Sequence, residues 1–542
     1  MPNRYARYGP PSADKVLGAL PVIAAFCRRL DIAGIIDRAC PIRELAIATH
    51  GQVIEALIAN RLTSPTPLVH VQDWAAAFAL PEVFDVAAAT LNDDRLGRAL
   101  DAVAPELGGI IGSVGVTAIA TFGVDVSRIH WDMTSISLFG AYRDPEDGFA
   151  QPRWGHPKDR RDDLKQIQTG FGVTADGAIP IFHRVFDGGA GEVAQVVPAM
   201  EALCEIAGER RFLMVGDSKL VSYDNLAALS KANVTFIAPA GKTYVPTTVL
   251  AGCQLDASVP VDYTAQRDSA RNPDEQGTWQ VSEDTMTITG KRKTDPALTL
   301  RRVFVFSSAR AGAARTAREK KLDRAKDDLG RLTRGLGGRH YPTETEVTER
   351  IVAIARTRKV TPYLITDIAT SPAGKPTLSW SFDQTALDAD AKADGWYALL
   401  TNLDPNHADT SDVLLAYKGQ ETVERRNSNF KGPLAVAPMF LKHNRRIEAL
   451  ISVICLALLI FSLIERAVRL ALNPQITLPG LRAGRPAKPT AQLIFTALSS
   501  LRLIPATNTT PATNTTPAQI PQPPPLQTRL LQLLDVDPRQ SR

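Results

Sequence analysis

The sequence predicts an α/β fold preceded by an all-α segment, and three observations carry that prediction. Apolar residues recur at helical spacing through residues 1 to about 115. From about residue 129, β-branched and apolar runs alternate with helical stretches. Between about 247 and 394 that order is interrupted by further strand-like runs around a long charged helix. A chain of 542 residues is long enough for several cores, with about 150 residues to each.

In the first segment, VLGALPVIAAFCRRLDIAGIIDRA, THGQVIEALIANRL and LNDDRLGRALDAV follow the 3.6-residue period, and Thr49 is placed to cap the second helix. The runs RIHWDMTSISLFG, IQTGFGVTADG and IPIFHRVFDG then read as strands, with Asp176-Gly177 as a hairpin turn between the last two. A helix through VAQVVPAMEALCEIAG, a strand FLMVGD, a helix SYDNLAALSKA and a strand VTFIAPA follow. Three antiparallel strands, then helix, strand, helix and strand, is the order of a ribonuclease-H-like core. In such a core, carboxylates on the first and fourth strands lie side by side, where Asp132 and Asp217 fall. The interruption contains the strand-like runs TWQVSEDTMTITG, LTLRRVFVFSS, VTPYLITDIA and TLSWSF, with helices at about 309–336 and 344–356. The longer helix has mixed charge and little apolar stripe, which reads as a solvated arm. The strand GWYALLTN then leads into YKGQETVERRNSNFK. The predicted segments are thus 1–115 (helical, for DNA binding or dimerisation), 116–246 (first part of the core), 247–394 (α+β insertion), 395–472 (the rest of the core) and a tail, 473–542.

Residues 449–464, ALISVICLALLIFSLI, are apolar throughout, with Arg445-Arg446 and Glu465-Arg466 as close flanks. That stretch is shorter than the ~20 residues of an ordinary membrane span, so a buried core helix and no membrane association are expected. Five scattered cysteines without a CxxC, and an N-terminus without a signal-like apolar core, point to a reducing, cytoplasmic setting. The repeat PATNTTPATNTTPA, followed by PQPPP, reads as a flexible linker. Net charge is only +5, a weak argument for a polyanionic partner, although basic pairs such as Arg160-Arg161, Arg425-Arg426 and Arg445-Arg446 recur.

The last helix carries the most chemistry. Tyr417, Gln420, Glu424 and Lys431 are spaced three, four and seven apart and fall within roughly 60° of arc at about 100° per residue. Gly432-Pro433 stops the helix behind Lys431. With this spacing, the chain resembles the insertion-sequence DDE transposases that bear a Tyr-x2-Arg-x3-Glu-x6-Lys signature. DLKQIQTGFGVTADGAIPIFHRVFDG, VGDSKLVSYDNLAAL and KGPLAVAPMFLKHNRRIEALISVICLALLIFSLIER look like the same group, and the resemblance spans about residues 16–472.

The resemblance implies that Asp132, Asp217 and Glu424 are catalytic and hold two Mg²⁺ or Mn²⁺ ions. Divalent ions about 4 Å apart activate the attacking oxygen and neutralise the leaving one, and hard carboxylate oxygens suit them. It also implies that Tyr417, Gln420, Lys431 and Arg425 contact DNA. Gln420 stands where the signature has arginine and removes a bidentate phosphate contact, which Arg425 or Arg426 would have to replace. The implied partners are double-stranded DNA with terminal inverted repeats and target DNA, and the implied assembly is a homodimer on DNA. Two other readings stay open: a catalytically impaired DNA-binding relic, and a ribonuclease-H-like repair nuclease.

Overall fold

A computed structural model describes residues 14–43, 45–473, 475–508, 515, 516 and 518–539. The chain is mixed α/β and divides into two compact units, Met1–Val215 with Gly419–Arg542, and Gly216–Lys418.

In the first unit the helical N-terminal reading holds: helices run over Leu20–Arg29, Ile32–Ala39, His50–Thr63, Asp93–Val103 and Leu107–Phe122. Thr49 forms a capping box. Its Oγ1 accepts from the Gln52 amide at 3.1 Å while Gln52 Oε1 accepts from the Thr49 amide at 2.9 Å, which satisfies two otherwise orphaned donors. Four strands follow: β1 (Arg128–Leu138), β2 (Lys165–Thr174), β3 (Pro180–Phe186) and β4 (Leu213–Val215). β1 pairs antiparallel with β2, and β2 antiparallel with β3. β4 lies parallel on the other side of β1, with His130 opposite Val215. The β2–β3 connection turns at Asp176-Gly177, as the sequence predicts. Gly177 sits at φ +71°, and a Cβ there would lie 2.5 Å from Cδ of Arg466. That arginine donates to both Asp176 oxygens, at 3.0 and 2.5 Å, and to the Phe122 carbonyl at 2.9 Å. A side chain at 177 would therefore strain the backbone and dislodge the guanidinium that pins the turn.

The apolar run lies in a helix over Asn444–Leu472, which packs on β3 and on the helices His50–Thr63 and Asp93–Val103. Being hydrophobic on all sides, it suits full burial, and 94% of its most apolar 18-residue window is buried. Among the described residues, this helix and the stretch Asp93–Phe122 are long and apolar enough to cross a membrane by length and composition. The basic pair at its start is neutralised: Arg445 and Arg446 both donate to Asp101, at 2.9 Å and at 2.9 and 2.6 Å. Beyond it, Ala491–Leu498 and Pro525–Leu533 are helices that return to the long helix, two elements the sequence reading lacks. Of the predicted linker, Thr507–Asn508 pairs with Thr515–Thr516, while residues 509–514 and 517 lie outside the described residues.

His183, in β3, is buried, and its Nε2 has no hydrogen-bond partner. Burial lowers its pKa from 6.5 to about 3, so the native ring stays neutral where the unfolded ring would take up a proton. The stability contributed by this neutral ring is complete above about pH 6.5 and is lost as pH falls from there towards 3. The slope approaches about 1.4 kcal/mol per pH unit. Between pH 6.5 and 5, His183→Leu should therefore lose about 1.6 kcal/mol less stability than the parent chain. Urea melts across that range test this, and parallel curves for the two proteins would show that His183 titrates normally.

In the second unit, β5 (Thr235–Pro239), β6 (Val259–Val261), β7 (Trp279–Ile288), β8 (Leu298–Ser307) and, after a hairpin of β9 (Leu364–Thr370) and β10 (Pro376–Phe382), β11 (Trp396–Thr401) are the strands. β11 lies between β5 and β8, with β7 and β6 beyond, and every one of these pairings is antiparallel. The long charged helix is Ser308–Arg334, capped by Ser307, and the shorter one is Glu344–Arg358. The long helix is not solvated throughout. Leu329 and Leu332 bury against Val347, Ile351 and Ile354, with Ile368 and Trp380 of the hairpin packed on them.

Candidate active site

Strand periodicity places His130 and Asp132 on one face of β1, and the helix Glu421–Lys431 meets both. Gln420, just before that helix, shares a hydrogen bond with His130 Nδ1 through Oε1 at 3.1 Å and donates from Nε2 to the Trp131 carbonyl at 3.3 Å. Asn427 donates from Nδ2 to Asp132 Oδ2 at 2.9 Å. Residues 420 and 427 are two turns apart on one side, and Glu424 falls between them. Glu424 and Asp132 thus face the same place, and their mutual repulsion shows in the acid. Glu424 is raised above the usual carboxylate range first by partial burial, then by Asp132 and Glu421, with Lys158 opposing.

A loop before β2 completes the cluster. Lys158 Nζ lies 3.4 Å from Asp132 Oδ1 and also donates to the Met133 carbonyl. Asp159 Oδ2 accepts from Ser137 at 2.7 Å. Lys431 is pulled below its ordinary range by burial, while Asp159 and Asp132 favour its charged form and Lys158 opposes it. His130 is lowered to about 4, chiefly by burial, so it is neutral beside Asp132.

The single helix expected from Tyr417 to Lys431 is not formed. Helix Thr410–Lys418 ends, Gly419 and Gln420 turn, and a new helix begins at Glu421. Gly419 at the junction favours the break, because glycine is about 1 kcal/mol poorer than alanine inside a helix. Tyr417 therefore belongs to the second unit, where its ring lies 6.5 Å from that of Tyr397. Asp217 is also in the second unit, half-buried, with Oδ1 accepting from the Lys219 amide at 2.9 Å. Arg425 is exposed on the helix, whereas Arg426 is fully buried and turned away from Asp132 towards Gly177, Ala178 and Glu465.

Sequence reasoning missed Asn427, Lys158 and Asp159. Asn427 was within reach of it, because position 427 lies four before Lys431 and seven after Gln420 on the stripe already singled out. Lys158 and Asp159 come from a loop without periodicity, and only the fold brings them in. The basic residues of the N-terminal segment are largely engaged within the chain. Arg61 is buried, Arg95 donates to the Ala48 carbonyl at 2.9 Å, Arg38 pairs with Asp31 at 2.8 Å, and Arg98 pairs with Asp94 at 2.6 Å.

Among the described residues no group of three or more His, Cys, Asp or Glu side chains is arranged to hold a metal ion. Asp132 and Glu424 are a pair of hard carboxylates, and one or two carboxylates are what Mg²⁺ takes from a protein. The buried Oδ1 of Asn427 is an oxygen without a partner at the same place.

A family model described as a domain of unknown function, DUF4277, matches residues 13–107. No curated protein matches. Among solved structures, the chain is similar to a piggyBac transposase in a synaptic complex with hairpin DNA. The identity is 9% and the TM-score 0.37, over 88% of this chain and 80% of that one.

Proposed function

We propose that the protein is a DDE transposase that cleaves DNA at the ends of an insertion sequence and joins the freed 3′-hydroxyl ends to target DNA. The observation that carries this reading is the convergence of Asp132 and Glu424, from a strand and a helix 292 residues apart in sequence, on one cluster with Lys158, Asn427 and Lys431. A strand order of three antiparallel strands, with the fourth parallel beside the first, supports a ribonuclease-H-like core.

In this reading Asp132, Asp217 and Glu424 would hold two Mg²⁺ or Mn²⁺ ions, which when bound would supply activation of the attacking oxygen and neutralisation of the leaving one. The chain's own residues set the rest. Asn427 orients Asp132, neutral His130 adds no charge to the site, and Gln420 docks the Glu424 helix on β1. Lys431 and Arg425 offer charge to the phosphate backbone. Segment 1–115 contributes end recognition or dimerisation, and the protein works as a homodimer on DNA in the cytoplasm, away from membranes.

The test is cleavage of a duplex carrying the inverted repeats that flank the coding region, with Mg²⁺, Mn²⁺ or Ca²⁺. Cleavage in Mg²⁺ and Mn²⁺ followed by insertion into a plasmid is expected, with binding but no turnover in Ca²⁺. Cleavage without insertion would instead indicate a repair nuclease, and binding without cleavage a relic.

A further inference from the structure

Both carboxylate oxygens of Asp132 have partners: Oδ2 accepts from Asn427, and Oδ1 faces the Lys158 ammonium. The same ammonium is held by the Met133 carbonyl, so a single positive charge sits between a carboxylate oxygen and a backbone oxygen. That is the donor chemistry a hard divalent cation seeks. We infer that Lys158 is a tethered cation that holds the divalent ion's place at Asp132 and must leave it when the ion binds. This rests on the reading that Asp132 is a metal ligand, and it assigns Lys158 the role of a positioning residue.

Three features support the assignment. The loop that presents Lys158 is stapled to β1 at two points, the Lys158 amide on Ser135 Oγ at 2.9 Å and Asp159 on Ser137, so the backbone delivers the ammonium to Asp132. The two partners differ in exposure: the Asp132 side chain is 14% exposed and that of Lys158 46%. The carboxylate is therefore fixed in the protein, whereas a flexible four-carbon stem can carry the ammonium into water. Finally, Asn427 keeps Asp132 oriented through Oδ2 whether or not Lys158 is present, so the seat survives the exchange. Once displaced, the ammonium is free to meet a phosphate beside the ion, which would couple metal binding to DNA binding.

The experiment is a Mn²⁺ titration of the full chain without DNA, followed by electron paramagnetic resonance of the free ion. A competitor that occupies the seat about 80–90% of the time weakens apparent affinity about five- to tenfold. Lys158→Gln should therefore bind Mn²⁺ more tightly by that factor, and Lys158→Arg should stay near the parent. Unchanged or weaker binding by Lys158→Gln, or an equal gain by Lys158→Arg, would overturn the inference. Asp132→Asn separates the two levels. If it binds Mn²⁺ as the parent does, the metal-site reading itself fails; if it loses Mn²⁺ while Lys158→Gln gains nothing, only the role of Lys158 fails.

Discussion

Replacing Asp132, Asp217 or Glu424 with alanine is expected to lower end cleavage in Mg²⁺ by at least about a thousandfold, equivalent to about 4 kcal/mol of transition-state stabilisation. DNA binding should change little, because a metal ligand makes few phosphate contacts of its own. Asp132→Ala should have the broadest consequence, since it also strips Asn427 of its acceptor and Lys158 of its counter-charge. Single-turnover cleavage and filter binding on the same end-containing duplex provide the measurement. Near-parental cleavage by any one of the three would remove that residue from the site, and parallel loss of binding would mean that the variant had misfolded.

The second large effect is on stability. Arg426 is completely buried, donating from Nε to the Ala178 carbonyl at 2.8 Å and from Nη2 to the Gly177 carbonyl at 3.0 Å. It pairs with Glu465 at 3.4 Å, and Glu465 is also met by Arg469 at 2.8 Å and by the Ala491 amide at 3.0 Å. Burial lowers Arg426 to about 10, which still leaves it charged at neutral pH. Burial pushes Glu465 upward, but Arg426 and Arg469 more than reverse this, so it too stays ionised. Arg426→Met leaves Glu465 and two carbonyls short of a donor, and removing one partner of a buried pair costs about 3–5 kcal/mol. Denaturant unfolding should show that loss in the first unit, and a change below about 1 kcal/mol would mean that water or Arg469 fills the gap.

The elements that the sequence predicts correctly are those written in local chemistry. Thr49 announces a helix start, Asp176-Gly177 announces a hairpin, and the strands around Asp132 and at 298–307 follow from β-branched runs. The apolar stretch at 449–464 reads correctly as buried because all of it but Ser452 and Ser462 is apolar. What is not legible is what a charge does once the chain folds. Arg426 and Arg425 are adjacent and alike in sequence, yet one is sealed in the core because Glu465, 39 residues later, arrives beside it. The same holds for Arg445 and Arg446, whose common partner Asp101 lies more than 300 residues earlier. Gln420 reads as a lost phosphate contact on a continuous helix. The turn at Gly419 changes its orientation, and both ends of its amide dock on β1. The tail helices are illegible for a related reason: they are short, and their packing on the long core helix is a contact that only the fold supplies.

The first unit is sewn together from both ends of the chain: Lys15–Val16 pairs with Arg502–Leu503, and Arg29 donates to the carbonyls of Leu534 and Asp535 at 3.3 and 3.0 Å. On the ribosome these partners emerge about 500 residues apart, which at about 5–20 residues per second is roughly 25–100 s of elongation. For most of that interval the early helices are without the long apolar helix, residues 444–472, that covers them. The face of the early helices that meets residues 444–472 must therefore stay shielded until that helix has emerged.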